Sequence, residues 1–397
     1  MKKPLVLYAI GERIGGQGLA LVAQKAGEIL FKNNMLESLL CYGYGKKNNS
    51  PIKLKQMHRI YFQPAKLFSF LPARYYYTMK RRWMDVMSSF YLKNSKANIF
   101  HGWTHSALRS IPIAKKRGMV TIVERGNSHP LHTKAILEKE YEKYNIKSYH
   151  DTKNDNFFLR PFNLWRYEFN EALVELDICD YIFVNSNFCA ETYINYGIDK
   201  KKIIVIPRGF DPSIYSPRSP QKKGDKFILL FVGNLHVRKG IKYILEAWET
   251  LNLNNAELWF VGNVADEVKW VMNKHLKKHS NIKTFGNVSN PVQFYKKASV
   301  FVFPSLDEGS AKVTYEAMAC GLPCIFTDNA GSIANTKSAF IVPIRSSSSI
   351  AKAVKKLYNS IKLRNEMGEK ARRYIEKFTW ENYQKTLITR YKGILNK

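Results

Sequence analysis

Short apolar runs and amphipathic stretches alternate along the whole 397-residue chain. Residues 5–10 (LVLYAI) form a continuous apolar run cut off by Gly11 and Glu12, the pattern of a strand buried on both faces. A glycine turn follows, and residues 19–33 then read as a helix. Residues 120–123, 181–184 and 203–207 repeat the strand pattern, with a helical stretch at 165–176. Strands that alternate with helices predict an α/β domain with a mostly parallel sheet. After Pro207 the periodicity stops. Pro207, Pro212, Pro217 and Pro220, with Gly209 and Gly224, disfavour helix and strand alike, so a linker is expected over 208–225. The alternation then restarts. Strands are expected at 227–232, 257–261, 300–304 and 323–327, and helices at 239–251, 264–278, 310–320, 350–360 and 362–378. The pattern predicts two α/β domains, 1–207 and 226–375, facing across a cleft, with residues 376–397 as a C-terminal helix packing back on the first. Ligands of open sheets bind beyond the carboxyl ends of the strands.

Composition narrows the partners. Hydrophobic residues make up 45% of the chain, enough for real cores, while the net charge is +31. Such a field favours anionic partners: nucleic acid, anionic lipid or phosphorylated substrates. The cysteines are Cys41, Cys179, Cys189, Cys320 and Cys324, without a C-x-x-C pair, so neither a zinc site nor a disulfide framework is suggested and a reducing compartment fits. The opening MKKPLVLYAIGE lacks the longer apolar region and cleavage site of a secretory signal. No apolar stretch approaches the ~20 residues of a membrane span. A cytoplasmic protein is the expectation.

Chemistry is concentrated in residues 304–332, PSLDEGSAKVTYEAMACGLPCIFTDNAGS. Glu308 precedes a Gly309–Ser310 turn able to bring backbone close to a ligand, and Ser310 is a candidate N-cap for the next helix. A helix start offers N–H groups and a positive dipole end to phosphate. Glu316 lies two turns on and points back toward that start. Carboxylates suit sugar hydroxyls rather than phosphate, so two acids flanking an anion-binding turn read as recognition of a nucleotide-sugar. A loop acid and a solvated helix position remain the plain alternative.

The Glu308-x7-Glu316 pattern followed by EAMACGLPCI resembles the retaining family-four glycosyltransferases of the GT-B fold, two Rossmann-like domains facing across a cleft. FVGNLHVRKGIKYILEAW (231–248), IIVIPRGFD (203–211) and the turn Gly15, Gly16, Gly18 are similar to the same family. The resemblance implies a retaining hexosyltransferase using a nucleotide-diphosphate sugar, with no protein nucleophile: a donor phosphate oxygen takes the acceptor's proton during same-face attack. Lys239, with Arg238, would neutralise the diphosphate. Glu316 would hold the ribose and Glu308 the transferred sugar. The N–H groups of Gly309, Ser310 and Ala311 would meet sugar or phosphate, Gly15 and Gly16 would approach the donor, and Gly233 and Asn234 would line its turn. Asn234 stands where the family often has Arg, and Arg238 is expected to substitute.

Leaving-group chemistry agrees. A nucleoside diphosphate departs with two or more negative charges, which something must stabilise. One class of transferase uses a metal held by D-x-D; this chain has no D-x-D, so no metal and no cofactor are expected. In the first domain, VERGNSHPLH offers Arg125 and His129, and HGWTH offers His101 and His105; Arg125, His129 and His105 are candidate acceptor contacts, and His129 a candidate catalytic group.

Residues 46–100 carry twelve Lys and Arg against Asp85 alone, interleaved with aromatics. That mix suits a bilayer interface, where each cation contributes ~1 kcal/mol against anionic lipid. Lys80, Arg81, Arg82 and Trp83 are the expected membrane face of a peripheral protein acting on a glycan or lipid-linked acceptor, in polysaccharide, lipopolysaccharide or glycolipid assembly. A basic nucleic-acid or anion-binding protein without transferase activity is the alternative. No nucleic-acid partner is expected, because no recognised module appears and the paired acids would lack a purpose.

Overall fold

The computed structural model describes residues 3–16, 18–44, 52, 57–59, 73–146 and 164–396. Two parallel sheets organise them. The first contains β1 (Val6–Ala9), β2 (Leu36–Cys41), β3 (Met57–Arg59), β4 (Ile99–Trp103), β5 (Val120–Glu124), β6 (Tyr181–Val184) and β7 (Ile203–Val205), in the order β3-β2-β1-β4-β5-β6-β7. The second contains β8 (Phe227–Val232), β9 (Ala256–Val261), β10 (Ile282–Thr284), β11 (Val300–Phe303), β12 (Cys324–Thr327) and β13 (Ala339–Val342), in the order β10-β9-β8-β11-β12-β13. Helices cover both faces of such a sheet, so its central strands are uniformly apolar. FILLFV in β8 and VFVF in β11 are buried at every position.

Most strands appear where the apolar runs predict them. β2 and β4 did not stand out because polar letters interrupt them: Glu37 and Ser38 in LESLLC, His101 and Gly102 in IFHGW. His101 is nonetheless fully buried. Its Nδ1 lies 2.5 Å from Tyr391 Oη and its Nε2 lies 3.2 Å from Glu124 Oε2.

Tyr391 belongs to α13 (Trp380–Leu395), which starts beyond the second domain and returns to the first. Tyr383, Leu387, Tyr391 and Ile394 bury themselves in the first domain's core beside Val22 and Leu30 of α1 (Leu19–Lys32). The linker and this return both cross between the domains. The crossings pair with each other: Phe210 N donates to Phe378 O at 3.0 Å, and a Cβ on Gly209 would stand 2.5 Å from Trp380 N.

A converse exchange involves α4 (Pro130–Lys143), reached directly from β5. Leu137 and Tyr141 pack into the second domain's core, not the first's. Glu140, 1% exposed, accepts hydrogen bonds from Tyr243 Oη at 3.0 and 3.1 Å and pairs with Arg345 Nε. A buried carboxylate is tolerable only when its charge and lone pairs are met this way.

The basic-aromatic stretch contributes α2 (Ala73–Leu92), and the rest of it lies largely outside the described residues. The expected membrane face is corrected at Lys80. Lys80 is 8% exposed, 2.7 Å from Glu12 Oε2 and above the Tyr42 ring. Arg82 pairs with Glu171 of α5 (Leu164–Ile178) at 2.8 Å, and Trp83 packs against the first core. Those contacts withdraw Lys80 into the protein, whereas the Arg82 side chain stays 38% exposed. Among the described residues no helix is long and apolar enough to cross a membrane.

Candidate active site

The strand order reverses between β1 and β4 in the first sheet and between β8 and β11 in the second. Loops leaving neighbouring strands diverge at such a point and open a crevice at the carboxyl edge. Each sheet has a cavity there. The first, about 220 Å³, is lined by Gly11 and Glu12 after β1, Trp103 to Ser106 at the end of β4, Glu124 to Asn127 at the end of β5, and Arg81 from α2. The second, about 300 Å³, is lined by Gly233 and Asn234 after β8, Arg238, Lys239, Glu308, Ser310 to Val313, and Arg208 from the linker.

A short 3-10 turn, Val237–Lys239, precedes α7 (Ile241–Thr250), so the helix opens two residues later than the spacing suggests. Gly240 joins them at φ +70°, and a Cβ there would come within 2.1 Å of Pro304 O. Glycine thus lets the turn press against the end of β11. Arg238 O then accepts from Leu306 N at 2.8 Å and from Ser305 Oγ at 3.0 Å. The result is charge convergence. Arg238 Nη1 lies 3.1 Å from Glu308 Oε1, and Lys239 Nζ pairs with the same oxygen. Burial pushes the Glu308 carboxyl up, but Arg238, Lys239 and Arg208 outweigh it and hold it below the usual carboxylate range. Burial in turn lowers the Lys239 ammonium, against the raising effect of Glu308.

The two cavities meet at two glycines. A Cβ on Gly126 would lie 3.0 Å from Arg208 Nη2, and one on Gly309 would lie 1.7 Å from Gly126 O. Ser186 Oγ donates to Gly309 O at 2.6 Å across the same gap. Arg208 is steadied by Asn185, whose side-chain oxygen accepts from its Nη2 and Nε at 3.0 and 3.1 Å.

Residues 39–214 match the family described as Glycosyltransferase Family 4, and residues 215–374 match glycosyl transferases group 1. The chain thus carries a Glycosyltransferase Family 4 domain followed by a glycosyl transferases group 1 domain, in a GT-B fold. Sucrose-phosphate synthase from Thermosynechococcus elongatus shares this fold at a TM-score of 0.71 and 17% identity, covering 100% of both chains. Anabaena Alr3699/HepE, solved in complex with UDP, shares it at 0.66 and 12%, covering 98% of this chain and 100% of that one. In sequence, the chain is 31% identical over 175 residues to the capsular polysaccharide biosynthesis glycosyltransferase CapM of Staphylococcus aureus, covering 40% of this chain and 45% of CapM. The chain spans about half the length of the curated relatives it matches.

Within this GT-B fold, Glu308, Arg238, Lys239, Gly233, Asn234, Ser310 and Ala311 share one cavity, with Gly309 at its edge against the first domain. Glu316 does not line it. Its Oε1 accepts from Tyr215 Oη at 2.7 Å and lies 2.8 Å from Lys312 Nζ, and its Oε2 accepts from Tyr295 Oη at 2.8 Å. The carboxylate is thus held from behind by two tyrosines, while Lys312 faces the cavity. Ser310 is not an N-cap. The helix α10 (Lys312–Ala319) is preceded by Ala311, whose N–H donates to Ala330 O, and Ser310 Oγ bonds Tyr315 Oη.

In the first domain, Arg125 and His105 line the cavity with Arg125 Nη1 3.4 Å from His105 Nε2, whereas Gly15 and Gly16 do not reach it. Their place is taken by Gly11 and Glu12. His129 is corrected. It is 3% exposed, its Nδ1 accepts from Leu131 N as the cap of α4, and its ring stacks on Tyr196. Burial, then Arg125 and His132, lower it to about 4. It is a neutral capping group outside the cavity lining. Beneath His105, which sits at φ +70°, the buried Glu175 accepts from His105 N at 2.6 Å and Ala107 N at 2.9 Å. Burial pushes Glu175 up to about 8 despite those bonds.

Sequence reasoning missed Arg208, Glu12, Glu175 and Lys312. Arg208 sat in a proline-rich linker, where a cation reads as solvated. Its one signal was the flanking Pro207 and Gly209, which fix backbone direction.

Proposed function

We propose that this chain transfers a sugar from a nucleoside diphosphate donor to a glycan or lipid-linked acceptor, with retention of configuration and without a metal, in assembly of a cell-surface polysaccharide or glycolipid. The observation that carries this reading is the charge set of the second cavity. Arg208, Arg238 and Lys239 converge on Glu308, leaving two positive charges in excess. A departing diphosphate supplies that missing negative charge. Cations held by protein stabilise it without reorganising, and they act most strongly where water is excluded.

In this reading the diphosphate displaces Glu308 from Lys239. The freed carboxylate turns to the hydroxyls of the sugar, and Arg238 and Lys239 take the phosphate oxygens. The first cavity admits the acceptor between Arg125, His105 and Glu12. Same-face attack follows, with the acceptor proton passing to a donor phosphate oxygen. The relatives support this: CapM is described as acting in capsular polysaccharide biosynthesis, and the Anabaena neighbour was solved with UDP. The excess of 63 Lys and Arg over 32 Asp and Glu supports peripheral binding to an anionic cytoplasmic membrane face.

Calorimetry with UDP, GDP and ADP, with magnesium and with chelator, tests the donor site. Micromolar binding of one nucleotide, insensitive to chelator, is expected. No binding of any, or a strict metal requirement, refutes it. Product anomers read by NMR decide retention. Co-sedimentation with anionic and neutral vesicles decides the membrane reading, which fails if both bind equally.

A further inference from the structure

Asp307 precedes Glu308 and is fully buried, yet it lines neither cavity. Its carboxylate crosses to the other half of the chain. Ser128 Oγ donates to Oδ1 at 2.5 Å, and Thr133 Oγ1 donates to Oδ2 at 3.0 Å. Its backbone carbonyl accepts from Arg238 Nη1 at 3.0 Å. Three consecutive residues therefore face three ways. Asp307 grips the start of α4, Glu308 meets Arg238 and Lys239, and Gly309 abuts Gly126.

Ser128 ends the loop that begins at Arg125, and Arg125, Gly126 and Asn127 line the first cavity. The loop's far end is tied to the first domain through His129 N, which donates to Thr192 Oγ1 at 3.0 Å. The body of α4 is docked on the second domain through Leu137, Tyr141 and Glu140. The loop is thus stretched between the domains, and Asp307 is the point at which it is fixed beside Glu308.

We propose that Asp307 is a positioning residue: by holding Ser128 and Thr133 it sets the 125–127 loop, and with it the acceptor, in register with Glu308. The inference rests on the transferase reading of the two cavities. Misplacement by about 1 Å costs on the order of 10²-fold in rate, while groups that only bind the donor are untouched. Asp307→Ala removes the grip: the buried Ser128 hydroxyl and the half-buried Thr133 hydroxyl lose their carboxylate acceptor and are left bonded only to each other at 2.8 Å. Asp307→Asn keeps an oxygen for one of them.

The test uses the full chain and three readouts. In the free protein, hydrogen exchange over 125–133 rises in Asp307→Ala and returns toward the unchanged chain in Asp307→Asn; this holds whatever the enzyme's substrate. UDP and GDP affinities stay within twofold in both variants. Sugar transfer in Asp307→Ala falls at least tenfold at saturating donor with donor KM unchanged, donor hydrolysis persists, and Asp307→Asn recovers part of the loss. Unchanged exchange in the 125–133 segment, or nucleotide affinity that falls together with turnover, overturns the proposal. Failure of the unchanged chain to bind any nucleotide overturns the transferase reading instead, and the exchange result then stands by itself.

Discussion

Substituting Gly309 by Ala probes the joint between the cavities. The added Cβ would stand 1.7 Å from Gly126 O, 2.4 Å from its carbon and 2.9 Å from Asn127 N. Side-chain Cβ atoms essentially never approach closer than 3.0 Å, so the loops must part by at least about 1.3 Å. Both neighbours are backbone, and no rotamer change relieves the contact. Gly309 is not among the positive-φ glycines, so alanine adds no backbone strain and the effect is purely one of spacing. A displacement of about 1 Å in a reacting geometry lowers the rate on the order of 10²-fold, equivalent to about 2.7 kcal/mol at 1.36 kcal/mol per decade. Steady-state transfer measured at saturating donor should fall by that factor, with nucleotide affinity nearly unchanged because alanine keeps the N–H. Gly393→Ala is the control. That glycine lies inside α13 with nothing within 4 Å of its Cβ position, so the change should be silent in activity and raise stability by about 0.5–1 kcal/mol. Wild-type turnover in Gly309→Ala would show that the two loops are not in contact during reaction and would refute the reasoning.

Three other outcomes are expected. Glu308→Gln keeps the shape of the site but removes the anion competing for Arg238 and Lys239; calorimetry should give equal or tighter UDP or GDP binding, while transfer falls about 10²–10³-fold. Weaker nucleotide binding would contradict the charge argument. His129 is lowered to about 4 by burial, Arg125 and His132, so the unfolded chain takes up its proton first and stability is lost as pH falls from about 6.5 toward 4. His129→Asn keeps a capping side chain, and its melting temperature should fall less between pH 7 and 5 than that of the unchanged chain. Leu387→Ala removes a side chain that is 1% exposed in the first domain's core and should cost about 2–5 kcal/mol, seen as a lower denaturant midpoint. A midpoint within experimental error would mean that α13 is not docked on the first domain.

The apolar runs alone determined the α/β alternation and four strands of the second domain, β8, β9, β11 and β12, but not the short β10 and β13. A doubly covered parallel sheet needs unbroken apolar strands, and FILLFV and VFVF are such letters in a row. The charge-bearing turn was also legible, because Arg238, Lys239 and Gly240 are adjacent and Glu308 directly precedes a glycine. β2 and β4 were not, since burial of Glu37's neighbours and of His101 depends on partners far along the chain: His101 needs Tyr391, 290 residues away. Orientation was equally hidden. Lys80 reads as a surface cation until Glu12 is found 2.7 Å away, and Glu316 reads as a cavity acid until Tyr215 and Tyr295 occupy it. Only tertiary structure could show that α4 docks on the second domain and that Gly126 meets Gly309. Local sequence sets periodicity and turn chemistry, whereas contacts between distant segments are fixed by which buried polar groups find partners when the cores close.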